Sequence, residues 1–411
     1  MPEIIKATFE IVTPMFLGDA RSDQLADTIR PPSVKGALRF WWRALKWDRF
    51  IRKHQGDKKS ALRALWECEA VLFGNASEGE HGSQSPFLIR IEKEDTTLQQ
   101  MKKGNIHPEF ARFDGARYLG FGLMASFGSR RKQEKAGQLY RPCINASQSF
   151  VVKLLARSDI SSSVLNALKL FGLLGGLGSR TRRGLGSCAL SSIKNADGKI
   201  LWSEPKDETG YIAAINELLP SGLKTHANGH NANIPPFSAF SQKSRIDLLT
   251  ELASNPVQVL NELGKNMMMY RSWGKDGKVL GEESEKNFPQ DHNWKYGKTP
   301  SEFHPRRVVF GLPHNYGKKE DGLEIAAEHH DRRASPLLLH VHKLGKMYIG
   351  VSVLLPSEFL PMNERIKAGK KNVPPNIEWS VLTEFLDGNG KEESTGNVRF
   401  PAKKAVIGTQ S

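Results

Sequence analysis

The first half of the sequence predicts an α+β domain with an antiparallel sheet, because its elements follow in the order β-α-β and then β-α-β. Three observations predict this order. A strand over residues 4–14 precedes a long amphipathic helix over 30–53, a further strand is expected near 87–92, and a strand, helix and strand follow between 147 and 193. This is the element order of a ferredoxin-like unit.

The bounds of these elements come from periodicity and from turn residues. Pro31 and Pro32 suit the first turn of the long helix, with Ser33 as a candidate N-cap. A second helix is predicted over 58–72, ending at Gly74. Strands are predicted at 87–92, 117–124, 147–155 and 185–193, a helix at 162–173, and a hairpin turn at Asp197–Gly198.

A change of composition near residues 220–245 predicts a domain boundary, because this stretch has no periodicity. We place the first domain at 1–225 and the second at 226–411. The second half predicts a helical piece over 245–271, a loop over 274–300, strands at 306–311, 336–343 and 346–355, and a helix near 379–386. No element is predicted in the polar tail after Asp387.

Composition favours an acidic partner. The chain holds 59 Lys and Arg against 44 Asp and Glu, for a net charge of +15. Such a balance is typical of proteins that meet nucleic acid, an anionic membrane or an acidic protein. No apolar run approaches the ~20 residues of a membrane span, and the N-terminus lacks the apolar centre of a signal peptide. Three widely spaced cysteines form no zinc motif and suit a reducing compartment. A cytoplasmic protein that binds nucleic acid, with no membrane partner, is the expectation.

The long helix divides into an apolar and a basic side on a helical wheel. Val34, Ala37, Leu38, Trp41 and Leu45 share one side. The other side carries the basic residues Lys35, Arg39, Arg43, Lys46 and Arg49. We expect the first four of them to contact RNA phosphates. No acidic residue of the helix shares this face. Trp42 lies among the basic residues, and it either stacks on a base or packs against a neighbouring element; the sequence leaves both open.

A glycine-rich loop over 172–188 is the second candidate site. Its Gly residues allow left-handed backbone and close approach of amides to a ligand, and its Arg residues can clamp phosphates. We predict an RNA-backbone cradle made of Gly175, Gly176, Gly178, Arg180, Arg182, Arg183, Gly184 and Gly186. The loop is neither a Walker loop nor a dinucleotide fingerprint, because it follows a helix and leads into a strand.

Two acidic or histidine-containing stretches invite a metal interpretation, and the sequence favours it in neither. Asp19, Asp23 and Asp27 lie in one loop, where carboxylates more often serve turns. In the stretch 328–333, His329, His330 and Asp331 are adjacent, and adjacent loop residues rarely converge on one ion. Arg332 and Arg333 are better candidates for contacts with the RNA backbone or with a partner at an interface. We expect no cofactor, no metal and no catalytic residue.

At these residues the sequence resembles the RAMP superfamily of CRISPR proteins. The blocks that carry the resemblance are TPMFLGDA, IRPPSVKGALRFWWRAL, FGLLGGLGSRTRRGLGS and RRASPLLLHVHK. The PPSVKGALRFWWR block and RRASP together are similar to the family of the first-numbered RAMP subunit of type III-B (Cmr) effector complexes. The resemblance implies two ferredoxin-like, RRM-like domains with helical insertions. It also implies guide RNA, target RNA and other Cmr-complex subunits as partners in antiviral defence, and a subunit that does not cut RNA itself.

Two other functions stay open. A RAMP-type endoribonuclease would need a general base, for which Asp19 or a histidine such as His107 is the candidate. A purely structural cap would use its basic surface against acidic protein partners instead of RNA.

Overall fold

The computed structural model describes most of the chain. The described residues are 3–18, 29–75, 82–92, 98–129, 131–156, 162–220, 223, 234–274, 276–294, 303–316, 323–369, 371–388 and 399–408. Asp19, Asp23 and Asp27 therefore lie outside the described residues, as does the predicted domain boundary at 225/226. None of the described helices is long and apolar enough to cross a membrane.

The first half contributes seven strands and six helices to the described part of the chain. They are β1 (Glu3–Ile11), α1 (Pro31–Lys53), α2 (Lys58–Phe73), β2 (Phe87–Glu92), β3 (Gln100–Met101), α3 (Pro108–Arg112), α4 (Asp114–Leu119), β4 (Cys143–Ile144), β5 (Gln148–Ala156), α5 (Ser162–Leu174), β6 (Cys188–Asn195), β7 (Ile200–Ser203) and α6 (Glu208–Leu218).

Five of these strands form one antiparallel sheet in the order β2-β5-β1-β6-β7. β1 is the central strand, and alternate residues such as Ile5, Phe9 and Ile11 are fully buried. Helices α1 and α5 contribute many of the apolar side chains that pack with them in one core. Phe9 stacks on Phe150 of β5 with ring centroids 5.3 Å apart, so the register of the two central strands is held by a cross-strand aromatic pair.

The second half contributes ten further strands and three helices to the described residues. They are β8 (Arg245–Leu248), α7 (Pro256–Arg271), β9 (Lys278–Val279), β10 (Glu282–Glu283), α8 (Pro289–Asn293), β11 (His314–Tyr316), β12 (Leu323–Ala327), β13 (Leu337–Leu344), β14 (Met347–Leu354), β15 (Ile366–Ala368), β16 (Lys371–Val373), α9 (Ser380–Asp387) and β17 (Lys404–Ile407). β13-β14-β8-β17 form one antiparallel sheet, and β11-β12-β15-β16 form another. The polar tail after Asp387 thus returns as a strand, β17, at an edge of the first of these sheets.

Three predicted elements differ from the structure. The strand predicted at 117–124 is absent: residues 117–119 end helix α4, and residues 120–124 form turns and isolated bridges. Helix α4 packs closely on α7, where a Cβ at Gly115 would lie 2.2 Å from the carbonyl oxygen of Asn261. The predicted helix over 245–271 begins only at Pro256, since the buried residues Arg245–Leu248 form strand β8. The predicted strand over 306–311 is a 3-10 helix, Arg306–Phe310, whose first amides donate to the carboxylate of Asp291.

The glycine-rich loop connects the two halves. The amide of Leu339 on β13 donates to the carbonyl of Arg182 at 3.0 Å, and the amide of Val341 donates to the Ser187 hydroxyl at 3.1 Å. From the first half, the Thr13 hydroxyl donates to the carbonyl of Gly184 at 2.7 Å. The loop therefore lies against the edge strand of the second half and is bonded to both sheets.

Candidate nucleic-acid interface

Helix α1 buries a wider apolar face than the helical wheel predicts. Val34, Leu38, Trp41 and Leu45 are buried as expected, and Trp47 joins them. The helix has α5 on one side and α2 on the other, so side chains at its flanks meet neighbouring helices rather than solvent. Only a narrow strip of the helix remains for a ligand.

Trp42 belongs to the core, and the interpretation that it stacks on a base is wrong. Only 1% of its surface is exposed, and its ring packs edge-on against Phe73 of α2 at 6.0 Å between centroids. The indole Nε1 donates to the Ser163 hydroxyl at 3.2 Å, which satisfies the polar atom of a buried Trp. No base can reach this ring without opening the contact between α1 and α5.

Arg39 and Arg43 lie beside a carboxylate of the neighbouring helix α2. The basic face has no acidic residue from α1 itself, but α2 supplies one. The Nε atoms of Arg39 and Arg43 lie 3.5 and 3.6 Å from the two carboxylate oxygens of Glu69. Arg39 also donates to the carbonyls of Phe73 and Gly74, where α2 ends and lone carbonyls need donors. We therefore assign both arginines to the α1–α2 contact rather than to the RNA site.

Lys35 and Lys46 have no ion pair with any described residue. Burial, followed by the nearby charge of Arg39, lowers the pKa of Lys35. Burial, followed by Arg49, lowers the pKa of Lys46, and Cys68 acts weakly in the opposite direction. Both lysines carry charge that the described protein does not neutralise, so both stay in the predicted interface.

The loop glycines are required by the packing of the protein on itself. A Cβ at Gly186 would lie 2.0 Å from the carbonyl oxygen of Leu177, and one at Gly176 would lie 2.4 Å from that of Gly186. Gly178, Gly184 and Gly186 also have positive φ, which favours glycine. The amides of Gly175, Gly184 and Gly186 donate to protein carbonyls. The prediction that these three amides bind a phosphate is therefore corrected. The glycines instead allow the loop to fold tightly on itself, in what we call the spiral, and the spiral determines where the arginines of the loop lie.

Two of the five arginines predicted as RNA ligands outside α1, Arg182 and Arg333, bind other parts of the protein instead. Arg182 lies with its guanidinium 5.3 Å from the Phe40 ring centroid and donates to the carbonyl of Ser335 at 2.7 Å. Arg333 donates to the carbonyl of Phe359 at 2.6 Å and to the Ser357 hydroxyl at 2.7 Å. Burial lowers the pKa of both side chains, that of Arg182 to about 10, because the charged forms lose water. Their donors already have partners, so their assignment as RNA ligands is corrected.

The remaining arginines of the loop join others from distant parts of the chain in what we call the arginine cluster: Arg141, Arg180, Arg183, Arg271 and Arg332. Burial lowers the pKa of Arg180, and the charges of Arg332 and Arg141 lower it further. Burial lowers the pKa of Arg183 to about 10, with the charges of Arg271 and Arg180 as the next causes. Within the described part of the chain, no carboxylate lies in ion-pair distance of any of the five. Positive charges brought together without a carboxylate form a site for an anion.

Local geometry fixes the positions of the cluster. Arg180 itself has φ +64, a left-handed conformation in the spiral. Arg271 ends α7, donates to the Tyr118 hydroxyl at 3.3 Å, and lies 4.5 Å from the Phe310 ring centroid. Arg141 and Arg271 are the site residues that sequence reasoning missed. Both are single basic residues without a motif, and only the fold brings them beside the loop.

The described histidine candidates contact a carboxylate and an aromatic ring. Among the described residues, no group of three or more His, Cys, Asp or Glu could hold an ion. His330 Nδ1 lies 2.7 Å from a carboxylate oxygen of Glu364, whose other oxygen accepts the amide of His329. His107 is 6% exposed, and burial lowers its pKa to about 4. Glu364 thus holds the 329–330 turn, and His107 packs on Phe110 with ring centroids 4.5 Å apart.

The first part of the chain matches a known protein superfamily. Residues 8–189 match the RAMP superfamily, a region that includes α1 and the whole glycine-rich loop. The superfamily predicted from the sequence is confirmed for this region.

Along most of its length, the chain is similar to Cmr1 proteins. It is 26% identical to the CRISPR system Cmr subunit Cmr1-1 of Pyrococcus furiosus over 363 residues, which cover 87% of each chain. The crystal structure of apo Cmr1 from Pyrococcus furiosus has a similar fold, with a TM-score of 0.57 and 19% identity, over 98% of this chain and 99% of that one. A chain in the cryo-EM structure of a type III-B Cmr-beta complex bound to cognate target RNA matches with a TM-score of 0.52 and 13% identity, over 94% and 98%.

Proposed function

We propose that this chain is a non-catalytic, RNA-binding subunit of a type III-B CRISPR ribonucleoprotein effector complex in the cytoplasm. Its partners are guide RNA, chiefly the 3′ region, target RNA and the other Cmr-complex subunits. The observation that carries the proposal is the arginine cluster, five arginines of which none has a described carboxylate within ion-pair distance. The similarity to Cmr1-1, and to a chain of a complex bound to target RNA, supports RNA as the anion.

We infer that the chain consists of two ferredoxin-like units, residues 1–225 and 226–411. In the first, the order β2-β5-β1-β6 with α1 and α5 as the crossovers supports this topology. In the second, the order β13-β14-β8-β17 with α7 and α9 as the crossovers is the same. The remaining strands and helices are then insertions or additions at the sheet edges.

In this proposal, arginine and lysine side chains bind the ribose-phosphate backbone and supply affinity without reading sequence. Base pairing between guide and target supplies the sequence specificity. Guanidinium groups suit this task because their planar forks match phosphate oxygens. Lys35 and Lys46 of α1, which have no ion pair with a described residue, contribute two further cations to RNA binding in this proposal.

The test measures how RNA binding depends on salt. The purified chain should bind a 12-nucleotide single-stranded RNA with an affinity that falls steeply as salt rises, because each phosphate contact releases a counterion. Replacing both Arg180 and Arg332 by Ala should lower the affinity and reduce the log–log salt slope by about 1.4, at ~0.7 for each lost contact. Lys59→Ala with Arg63→Ala removes two exposed cations from α2 and serves as the matched control. An equal loss in both double variants would contradict a localised site.

A second experiment separates binding from cleavage. In this proposal, the chain leaves labelled RNA intact with and without Mg²⁺, since the histidine candidate, His107, is buried and packed on Phe110. Cleavage that Asp19→Ala abolishes would favour the endoribonuclease instead. The structural-cap alternative predicts no RNA affinity in the first experiment.

A further inference from the structure

A surface segment beside the arginine cluster carries exposed aromatic side chains. We call residues 120–129 and 131–141 the aromatic segment. Phe121 is 63% exposed and Phe127 is 68% exposed, whereas most Phe residues of the chain are buried. Exposed aromatic residues that occur singly are common on proteins, but two within seven residues beside a charged site are a feature that calls for a ligand.

The segment shares one residue with the arginine cluster and is in contact with another member of it. Arg141, a member of the cluster, ends the segment. At the other end, a Cβ at Gly122 would lie 3.6 Å from an Nη atom of Arg180, so the guanidinium lies directly over this glycine. Phe121 is the neighbour of Gly122 in sequence and therefore lies at the border of the cluster.

Hydrogen bonds fix the backbone close to Phe121 and Phe127. Arg117, 5% exposed, donates from Nε to the carbonyl of Ser126 at 2.8 Å and also pairs with Asp114. The amide of Phe121 donates to the carbonyl of Tyr118 at 3.3 Å. A platform with a fixed backbone loses little further conformational freedom when a ring contacts it, which favours binding.

The charge of the segment favours a polyanion over an apolar protein surface. Its described cations are Arg131, Lys132, Lys135 and Arg141, and its one acid is Glu134, 3.3 Å from the hydroxyl of Tyr140. Basic side chains interleaved with exposed aromatic rings are typical of proteins that bind single-stranded nucleic acid, where rings stack on bases and cations follow the phosphates.

We propose that Phe121 and Phe127 stack on unpaired bases of an RNA strand whose phosphates lie on the arginine cluster. The inference rests on the proposed function and adds to it a second kind of contact, with base faces rather than with phosphates. It names the ligand as single-stranded RNA, since a base within a duplex offers no free face at this surface.

The experiment compares two RNA probes on the full-length chain. One is a 12-nucleotide single-stranded RNA, and the other is an abasic 12-mer with the same phosphates. The wild-type chain should bind the first more tightly. Phe121→Ala and Phe127→Ala should each weaken binding of the first about 5- to 100-fold, the range for loss of one stacked base, and leave the abasic probe and the salt slope unchanged. Phe303→Ala, at a phenylalanine that is 59% exposed outside the segment, is the matched control.

Each possible result of this experiment supports or refutes the stacking of bases on the two phenylalanines. Equal affinity of both variants and the wild type for the RNA refutes stacking while RNA binding itself stands. Loss of affinity for both probes also refutes it, because the phenylalanines would then act without a base. If the variants bind RNA normally but assemble poorly with other subunits, the segment is a protein-docking surface and the inference is wrong. If the wild type binds neither probe, the proposed function fails first.

Discussion

Acid should destabilise this protein through histidines that the fold keeps neutral. His340 on β13 is 1% exposed, and its Nε2 lies 3.3 Å from Nδ1 of His342. Burial lowers its pKa to about 3, and burial lowers the pKa of His107 to about 4. A free histidine titrates near 6.5.

The direction and size of the effect follow from proton linkage. Between pH 6.5 and the lowered pKa, the unfolded chain binds a proton at each of these histidines and the folded chain does not, so the folded state is most stable above pH 6.5. On going from pH 7.5 to pH 5.0, each histidine costs about 2 kcal/mol, at ~1.4 kcal/mol per pH unit. His340 and His107 together cost about 4 kcal/mol, a large part of the 5–15 kcal/mol that stabilises a typical protein.

The assay is urea unfolding followed by Trp fluorescence at pH 7.5 and pH 5.0. In His340→Gln, the difference in unfolding free energy between the two pH values should shrink by about 2 kcal/mol, whatever the substitution costs at either pH. His329→Gln removes a histidine whose side chain is 70% exposed and should keep the wild-type difference. If His340→Gln shows the same pH dependence as the wild type, the reasoning from burial is refuted.

Three further predictions concern the corrected site. Gly186→Ala should lower the unfolding free energy, measured by urea titration, by about 2 kcal/mol or more, because φ is +65 and a backbone oxygen lies 2.0 Å from the new Cβ. The control is Gly198→Ala, where φ is also positive but no atom lies within 4 Å of the new Cβ; it should cost only about 1 kcal/mol. Glu69→Gln should cost about 1–3 kcal/mol by leaving two arginines of α1 without a carboxylate, against a few tenths for Glu67→Gln at an exposed pair. Trp42→Phe should lower the melting temperature while RNA affinity stays within about two-fold, and a large loss of affinity without a loss of stability would return this residue to the RNA site.

The sequence predicted those elements whose pattern is local. α1, α2, β2 and α5 lie within one or two residues of their predicted bounds, because proline, glycine and periodicity mark them. Elements defined by tertiary partners were missed. The stretch Arg306–Phe310 has the composition of a strand, but it forms a 3-10 helix whose first two amides donate to the buried carboxylate of Asp291 in α8.

In the candidate site, too, the local features could be predicted from the sequence and the features that depend on tertiary contacts could not. The helical wheel shows which residues of α1 are basic, but it cannot show that Glu69 of α2 lies beside Arg39 and Arg43. Charge also does not distinguish Arg182, whose donors meet protein carbonyls, from Arg183 one position later, which lies in the cluster. These choices depend on which chain segments meet, and single-residue patterns carry no information on that.

The glycine-rich loop between α5 and β6 carries three arginines and is also hydrogen-bonded to strand β13 of the second half. The positions of these arginines therefore depend on how the two halves are placed relative to each other. The amide of Leu339 donates to the carbonyl of Arg182, and Arg183 pairs with the same strand, so a shift of β13 relative to the loop would disturb both residues. If the arginine cluster binds RNA as proposed, a macromolecule that docks on the second half and shifts this strand would change the affinity for RNA, and bound RNA would change that docking by the same factor.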